Sequence, residues 1–119
     1  MISSFRIPPE NQNVRAIEIA GGGLQARVLS HGAALQDLRL EGHPSPLVLG
    51  FTDLRDYLYH SAHHGAIAGP VINRIAEGTA VIDGTIYRFD RNDHDRQTLH
   101  GGSAGFGTLN WQIADTAPD

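Results

Sequence analysis

Residues 79–89 read Thr-Ala-Val-Ile-Asp-Gly-Thr-Ile-Tyr-Arg-Phe, and this stretch decides the fold class. Asp83-Gly84 lies between two short runs and is a favoured two-residue turn, because both of its positions can take a positive φ. The stretch therefore predicts a β-hairpin with strands over 79–82 and 85–89.

Three other segments carry strand signals. Apolar and polar residues alternate over 24–28 and again over 38–40, as they do on a half-buried strand. Residues 110–114, around Trp111, offer a further short strand. Fourteen glycines and six prolines separate these runs. Short strands at this spacing predict an all-β fold, an antiparallel β-sandwich.

One segment predicts a helix. Residues 53–59 could form about two turns, with Thr52 or Asp53 as the N-cap. Residues 8–13, with Pro8-Pro9 and two asparagines, predict a loop.

Composition excludes several classes of protein. A chain of 119 residues with 40% hydrophobic content fits one domain. A net charge of −4 argues against a nucleic-acid partner, which needs clustered Lys and Arg. No apolar run approaches the roughly 20 residues of a membrane span, and residues 1–6 lack a secretory h-region. Zero cysteines exclude disulfides and thiolate metal sites, and we expect a cytoplasmic protein.

Two glycine-lined clusters carry the chemistry. One is Gly-Pro-Val-Ile-Asn-Arg-Ile-Ala-Glu-Gly over 69–78, and the other is Leu-His-Gly-Gly over 99–102, followed by Gly105-Phe106 and Trp111. A histidine moves protons near neutral pH, an arginine offers a fixed fork of donors, and glycines admit a ligand close to the main chain. This combination suits acid–base work on a small polar ligand.

The spaced clusters resemble the aldose 1-epimerase, or galactose mutarotase, family. That family's pattern is Gly-Arg-x-x-Asn-Arg-Ile-Ala-x-Gly, a strand, Asp-Gly, a second strand, Leu-His-Gly-Gly-x-x-Gly-Phe and a Trp. Residues 32–38 and 47–51 are also similar, so the resemblance covers nearly the whole chain. It implies a galactose mutarotase-like supersandwich, of which residues 1–119 would be the incomplete N-terminal part of a single domain.

The chain departs from the family in two ways. Pro70 stands where the family has the first Arg, which removes a charge and a backbone donor. Family enzymes are also more than twice this long, and their glutamate base and second histidine lie beyond the matching region. Part of a sandwich exposes strand edges and an apolar face. We therefore expect the missing C-terminal portion or another chain to complete it.

The resemblance implies an enzyme that interconverts the α and β anomers of an aldohexose such as galactose or glucose. A base removes the anomeric hydroxyl proton, an acid protonates the ring oxygen, the C1–C2 bond rotates, and closure reverses the transfers. No metal, nucleotide or redox cofactor is needed. His100 would be the catalytic residue near the ring oxygen, with Arg74 and Asn73 binding the sugar. The isolated chain, lacking the base, would be inactive.

Each of these residues has a structural alternative. His100 could hold the glycine loop through backbone hydrogen bonds. Arg74 could form a buried ion pair with a carboxylate such as Glu77 or Asp83. Asn73 could cap a turn rather than orient a sugar hydroxyl.

Other polar and aromatic residues have both a structural and a functional interpretation. The cluster His60-x-x-His63-His64 would share one face of a helix and could bind a metal, or its rings could lie at a rim. The tyrosines and the tryptophan could stack on a sugar, although packing is the commoner role. The aromatic residues are Tyr57, Tyr59 and Trp111. Three further histidines are interpreted as surface residues: His31, His43 and His94. Five aspartates are interpreted as solvated loop charges: Asp53, Asp56, Asp90, Asp93 and Asp95.

Two other functions stay open. A sugar-phosphate epimerase of the same superfamily would want more cations at the rim, which the loss of Arg at position 70 does not favour. A non-catalytic carbohydrate-binding or assembly subunit gains weight from the absence of the base.

Overall fold

The computed structural model describes residues 13–60 and 63–117. The loop predicted over 8–13 therefore lies, apart from Asn13, outside the described residues. A three-stranded antiparallel sheet comes first, formed by β1 (Ala16–Gly21), β2 (Leu24–Leu29) and β3 (Leu35–Leu40) in that spatial order. Both alternating segments are thus confirmed as strands, and the register between β2 and β3 shifts once, between Arg27 and Val28.

One short α-helix follows this sheet in the described part of the chain, and a single 3₁₀ turn (Phe106–Thr108) lies further on. Helix α1 (Leu54–Tyr59) begins at Asp53, whose carboxylate accepts a hydrogen bond from the Arg55 backbone N–H at 2.9 Å. The same carboxylate pairs with the Arg55 guanidinium, which lowers the pKa of Asp53 to about 2. The helix and its cap are confirmed. Asp53 is a helix cap and Asp56 lies in the first turn, so interpreting them as loop charges was wrong.

Two further antiparallel pairs frame the second half of the chain. Strand β4 (Arg74–Ala76) pairs with β7 (Gln97–Leu99), and β5 (Thr79–Ile82) pairs with β6 (Thr85–Arg88). The predicted hairpin is therefore confirmed. Its turn residues have φ of +50° at Asp83 and +77° at Gly84, the values that a tight mirror-image turn requires.

The strand predicted over 110–114 does not form. Asn110 makes only an isolated bridge with His31, and the Trp111 N–H donates to the Ser30 carbonyl at 2.8 Å. The facing chain then turns away, because Gly32 and Ala33 both adopt positive φ. A strand needs a neighbour over several residues, and here the neighbour ends after one bridge.

Little apolar surface is buried within the described residues. The buried apolar side chains are Leu29 and Ala34, and Ser30 and Thr98 are buried polar residues. Many large apolar side chains stay exposed, with those of the β5–β6 hairpin prominent among them. None of the helices described is long and apolar enough to cross a membrane.

Candidate functional site

Asn73 and His100 face each other at the open end of the β4–β7 pair. Arg74 pairs with Leu99 at one end of this strand pair. Asn73, which precedes β4, therefore lies opposite His100, which follows β7. Both residues have positive φ, +62° at Asn73 and +52° at His100. The His100 N–H donates to the Asn73 carbonyl at 3.0 Å, and the Asn73 N–H donates to His100 Nδ1 at 3.0 Å. At this end of the β4–β7 pair, the Asn73 N–H is therefore bonded to the His100 imidazole rather than to a backbone carbonyl.

That second hydrogen bond determines where His100 carries its proton. A backbone N–H can only donate, so Nδ1 must be the unprotonated nitrogen. The proton of the neutral ring then lies on Nε2 and is available to a ligand. The structural alternative for His100 is therefore partly correct, since the ring does join the loop to β4. The same contact also orients a donor.

Arg74 is held by a carboxylate that the sequence did not single out as its partner. Its Nε donates to Asp93 Oδ2 at 2.8 Å, and one terminal nitrogen donates to Asn73 Oδ1 at 3.3 Å. The Asp93 side chain is only 11% exposed, and Gln97 also donates to it at 2.6 Å. The bond from Arg74, and then that from Gln97, lowers the pKa of Asp93.

The expectation of an ion pair for Arg74 was thus right in kind and wrong in the partners it named. Asp93 takes the place of Glu77 or Asp83, and it is not a solvated loop charge. The Arg74 side chain remains about half exposed, so the guanidinium keeps a face open to a ligand while Asp93 and Asn73 hold it.

A second carboxylate fixes the glycine-rich loop, defined as residues 100–108. Asp90 accepts from the Ser103 hydroxyl at 2.7 Å and from the Ser103 N–H at 2.9 Å, and these bonds lower its pKa. Gly102 has φ of +85°, and a Cβ there would collide with the Asp90 carboxylate. The loop can approach Asp90 this closely only because position 102 is glycine. Asp90 is an exposed loop charge, as interpreted from the sequence, and it also anchors the glycine-rich loop.

An open cavity of about 830 Å³ lies beside this loop. His100, Asp93 and Asn92 line it on one side, and residues of α1 and the segment after it line the other. Arg74 and Asn73 are not among the lining residues, but each bonds directly to one that is. The structure therefore brings all three predicted site residues together around one cavity edge.

Five of the seven histidines line the same cavity: His31, His60, His63, His64 and His100. Helix α1 ends at Tyr59, before the cluster predicted at 60–64. The His60 and His64 rings both contact Phe51, at centroid distances of 5.9 and 4.7 Å, and His60 also lies 3.4 Å from Asp56. The His63 ring instead makes a T-shaped contact with His100. Among the described residues, no three His, Asp or Glu side chains are grouped to hold a metal ion. This arrangement favours the rim interpretation of the cluster.

His31 was wrongly interpreted as a surface residue. It is half-buried, its Nδ1 is buried without a hydrogen-bond partner among the described residues, and this burial lowers its pKa. Gly32, directly after it, packs its α-carbon against the Gly107 backbone. His43 and His94 are exposed, as expected.

The aromatic candidates have packing roles. The Trp111 ring meets Phe106 in a T-shaped contact, and its indole N–H donates to the Phe106 carbonyl at 2.9 Å. The Tyr57 hydroxyl accepts from the Phe51 N–H at 3.0 Å and still lines the cavity. Packing is thus confirmed for Trp111 and Tyr57, and Tyr57 also contributes to the wall.

Sequence reasoning missed three side chains that hold the site together. Asn92 makes two hydrogen bonds with the Leu99 backbone, at 2.8 and 3.0 Å, which keep β7 in place beneath His100. Asp90 and Asp93 hold the loop and the guanidinium. The sequence feature that could have drawn attention to both aspartates is their position shortly before β7. The contact between Asp93 and Arg74 could not be inferred from it, because that contact depends on the pairing of β4 with β7.

Comparison with known proteins gives consistent results. A sequence model described as aldose 1-epimerase matches residues 15–119. A galactose mutarotase of Sus scrofa is 33% identical over 108 residues, which are 88% of this chain and 31% of that protein. A probable aldose 1-epimerase of Arthroderma benhamiae is 36% identical over 103 residues, covering 80% of this chain and 23% of that protein. The chain therefore spans about a third or less of the relatives that it matches.

Solved structures support the fold. An aldose epimerase homologue from C. elegans superposes with a TM-score of 0.79 at 35% identity, over 88% of this chain and 33% of that one. A galactose 1-epimerase from Lactobacillus acidophilus gives a TM-score of 0.73 at 24% identity, over 89% of this chain and 31% of that one, and so bears on the fold alone. The all-β prediction is confirmed, and the described strands correspond to part of such a sandwich.

Proposed function

The chain belongs to the aldose 1-epimerase family, and on that premise we propose that it forms one wall of a site interconverting the α and β anomers of an aldohexose. The observation that carries this proposal is the hydrogen bond from the Asn73 N–H to His100 Nδ1. It leaves the proton of the neutral ring on Nε2, where it can be donated to a ring oxygen.

The neighbouring groups suit the handling of a polyhydroxylated ligand. Ring opening requires hydrogen-bond donation to the ring oxygen as its C–O bond weakens, and His100 supplies a donor on a fixed ring. The Arg74 guanidinium, held by Asp93 and Asn73, offers its remaining donors to sugar hydroxyls. We propose that Asn73 acts mainly by holding these two side chains.

The general base is proposed to lie in polypeptide outside the matching third of the family. No glutamate of the described residues lines the cavity. Glu18 pairs instead with Arg27 on the β1–β2 sheet, and the Glu77 carbonyl accepts from Arg91. Glu10 lies outside the described residues. For this reason we expect the isolated 119-residue chain to lack appreciable mutarotase activity.

We also propose that further polypeptide, either the rest of a mutarotase-like domain or a separate chain, covers the exposed apolar faces. The support is the small buried core together with side chains such as Val81 and Ile86, which are 67% and 58% exposed. A cytoplasmic location stays a proposal as well, supported by the cysteine-free composition.

The proposal is tested by polarimetry on the complete enzyme that contains this chain, with His100→Asn as the variant. Asparagine keeps a hydrogen-bonding group but removes the titratable ring. We expect kcat for anomer exchange to fall on the order of 10²-fold or more with little change in melting temperature. His43→Asn, at an exposed histidine that does not line the cavity, is the matched control. An unchanged rate with a lowered melting temperature would show that His100 only supports the loop.

A carbohydrate-binding subunit without catalysis is the second candidate, favoured by the absence of a cavity glutamate among the described residues. Labelled anomers of glucose and galactose, mixed with the complete protein that contains this chain, separate the two functions. Exchange faster than in buffer means an enzyme, and binding without exchange means a binding module.

A further inference from the structure

The ring of His63 lies against the ring of His100 in a T-shaped contact. Their centroids are 4.9 Å apart and the ring planes cross at 78°. Both side chains line the cavity, and the His63 backbone has a positive φ of +55°. The His63 ring therefore packs against one side of the His100 imidazole.

We propose that His63 is a positioning residue for His100: it holds the His100 ring in the orientation that accepts from Asn73, and the two rings lie close enough for a charge on one to oppose a charge on the other. This deepens the proposed function and rests on it, because His100 matters only if it faces a sugar. The structural claim itself concerns two rings and a backbone N–H, and it can be tested without any sugar.

The positioning part follows from packing. The Asn73 N–H reaches Nδ1 only if the imidazole stays in one rotamer, and the His63 ring occupies the space beside it. An aromatic pair in this geometry contributes attraction beyond its buried area. Removing the His63 ring would free His100 to rotate and would weaken the bond to Asn73.

The charge part follows from proximity. Two imidazolium ions at this separation repel each other, so a charge on His100 disfavours a charge on His63. Partial burial and the neighbouring His100 lower the pKa of His63. A proton on His100 Nδ1 would also point at the Asn73 N–H, donor against donor.

The other ionisable groups lining the cavity do not neutralise this pair. Asp93 is already bonded to Arg74, and His60 lies beside Asp56. The remaining ones are His31, His64, Tyr57 and Tyr59. None of these four carries a negative charge near neutral pH, so repulsion within the His63–His100 pair is not offset from the cavity wall.

The test is ¹⁵N and amide-exchange NMR on the complete protein that contains this chain, without sugar, with variants His63→Ala and His63→Phe. In His63→Ala, we expect the Asn73 amide to exchange roughly fivefold faster, as loss of one hydrogen bond predicts, and the His100 ¹⁵N shifts to show mixed tautomers. Phenylalanine keeps a ring without a titrating group, so His63→Phe should restore both signals. Wild-type exchange and a single tautomer in His63→Ala would overturn the positioning role, as would failure of phenylalanine to restore them.

The charge coupling is tested by titrating His63 in the complete protein and in its His100→Asn variant. We expect the pKa of His63 to rise towards its ordinary value when His100 is replaced, because one of the two causes that lower it is gone. His43→Asn is the control and should leave the His63 curve unchanged. An identical His63 curve in His100→Asn and wild type would overturn the coupling. Because no sugar is present, an inactive complete enzyme with positive NMR results would count against the proposed function alone.

Discussion

The glycine-rich loop and the β5–β6 hairpin contain the same kind of turn residue in opposite surroundings. In the loop, Gly102 and Gly105 are buried and the carboxylate of Asp90 anchors the backbone of Ser103. In the hairpin, Gly84 has open space around it. Every residue of β6 is exposed. One region is determined by its own contacts, and the other presents apolar side chains that the described residues leave uncovered.

The hairpin shows this on both of its faces. Val81 lies opposite Ile86 on one face, while Ile82 and Tyr87 lie on the other, and all four are exposed. A hairpin with two exposed apolar faces gains little from folding by itself. The loop, in contrast, is tied to Asn73, Leu99 and Asp90 by hydrogen bonds within the chain. His100 therefore lies in a region whose backbone this chain holds by its own hydrogen bonds.

We expect the largest difference between the two regions in the loss of stability when one glycine in each region is replaced by alanine. Gly102→Ala would place a methyl group against the Asp90 carboxylate at φ of +85°, and it should destabilise the chain by roughly 3 kcal/mol. Gly84→Ala has a similar φ of +77° but no atom within 4 Å of the new methyl, so only the conformational cost of roughly 1 kcal/mol applies.

Urea unfolding of the two variants, followed by circular dichroism, measures the difference. Both positions have nearly the same φ, so the comparison isolates the collision with Asp90. Equal destabilisation in the two variants would mean that the loop yields around Asp90, and the contrast between the regions would fail.

The next effect concerns ligand binding. Arg74→Lys removes the planar fork that bonds to Asp93 and Asn73 at the same time, and it should weaken sugar binding in the complete enzyme about tenfold. Arg88→Lys, on the exposed strand β6, is the control from the hairpin and should leave binding unchanged. Isothermal titration calorimetry with galactose and glucose checks both. Equal affinities for wild type and Arg74→Lys would mean that Arg74 serves only the ion pair.

Local patterns in the sequence were enough to predict the elements that depend on near neighbours. The Asp83-Gly84 turn, the alternation that forms β2 and the Asp53 cap of α1 all act within a few residues. The prediction of a strand over 110–114 was wrong because a strand needs a neighbouring segment to pair with. The neighbouring chain pairs only at His31 and changes direction at Gly32, and the residues 110–114 carry no information about that change.

The sequence named three candidate site residues but not the contacts between their side chains. Asn73, Arg74 and His100 stand in motifs, so they could be named from sequence. Asp93 could not be assigned to Arg74, because the 19-residue separation closes only through the β4–β7 register. His63 was recognised as part of a cluster, but its contact with His100 depends on a chain reversal that spacing does not encode.

A smaller effect is expected from polar substitution in the hairpin. Val81→Thr and Ile86→Thr keep the β-branched shape on an exposed face, so each should change the stability of the isolated chain by less than about 0.5 kcal/mol. Light scattering should also show less self-association. In the complete enzyme the same changes should lower the melting temperature, because we propose that this face is covered there. Equal tolerance in both forms would contradict that covering.

The smallest effect that we expect is a pH dependence of stability caused by histidines that line the cavity. Burial lowers the pKa of His31 in the folded chain below the ordinary value of about 6.5. Between the folded pKa and about 6.5, the unfolded chain therefore binds more protons, so stability falls as pH decreases through this window and levels off below the folded pKa. His63 acts in the same direction. The anchoring carboxylates Asp90 and Asp93 have lowered pKa values and contribute only at more acidic pH.

Unfolding free energies of wild type, His31→Asn and His43→Asn at pH 7.5, 6.5 and 5.5 test this final prediction. We expect wild type and His43→Asn to lose stability over this range to the same extent. His31→Asn should lose less, because one half-buried group that resists protonation is gone. His43 lies exposed in the turn after β3, away from the cavity, so it reports the remainder of the chain. Identical slopes for all three proteins would mean that the His31 ring becomes hydrated without cost, and that the cavity side is as open to water as the hairpin.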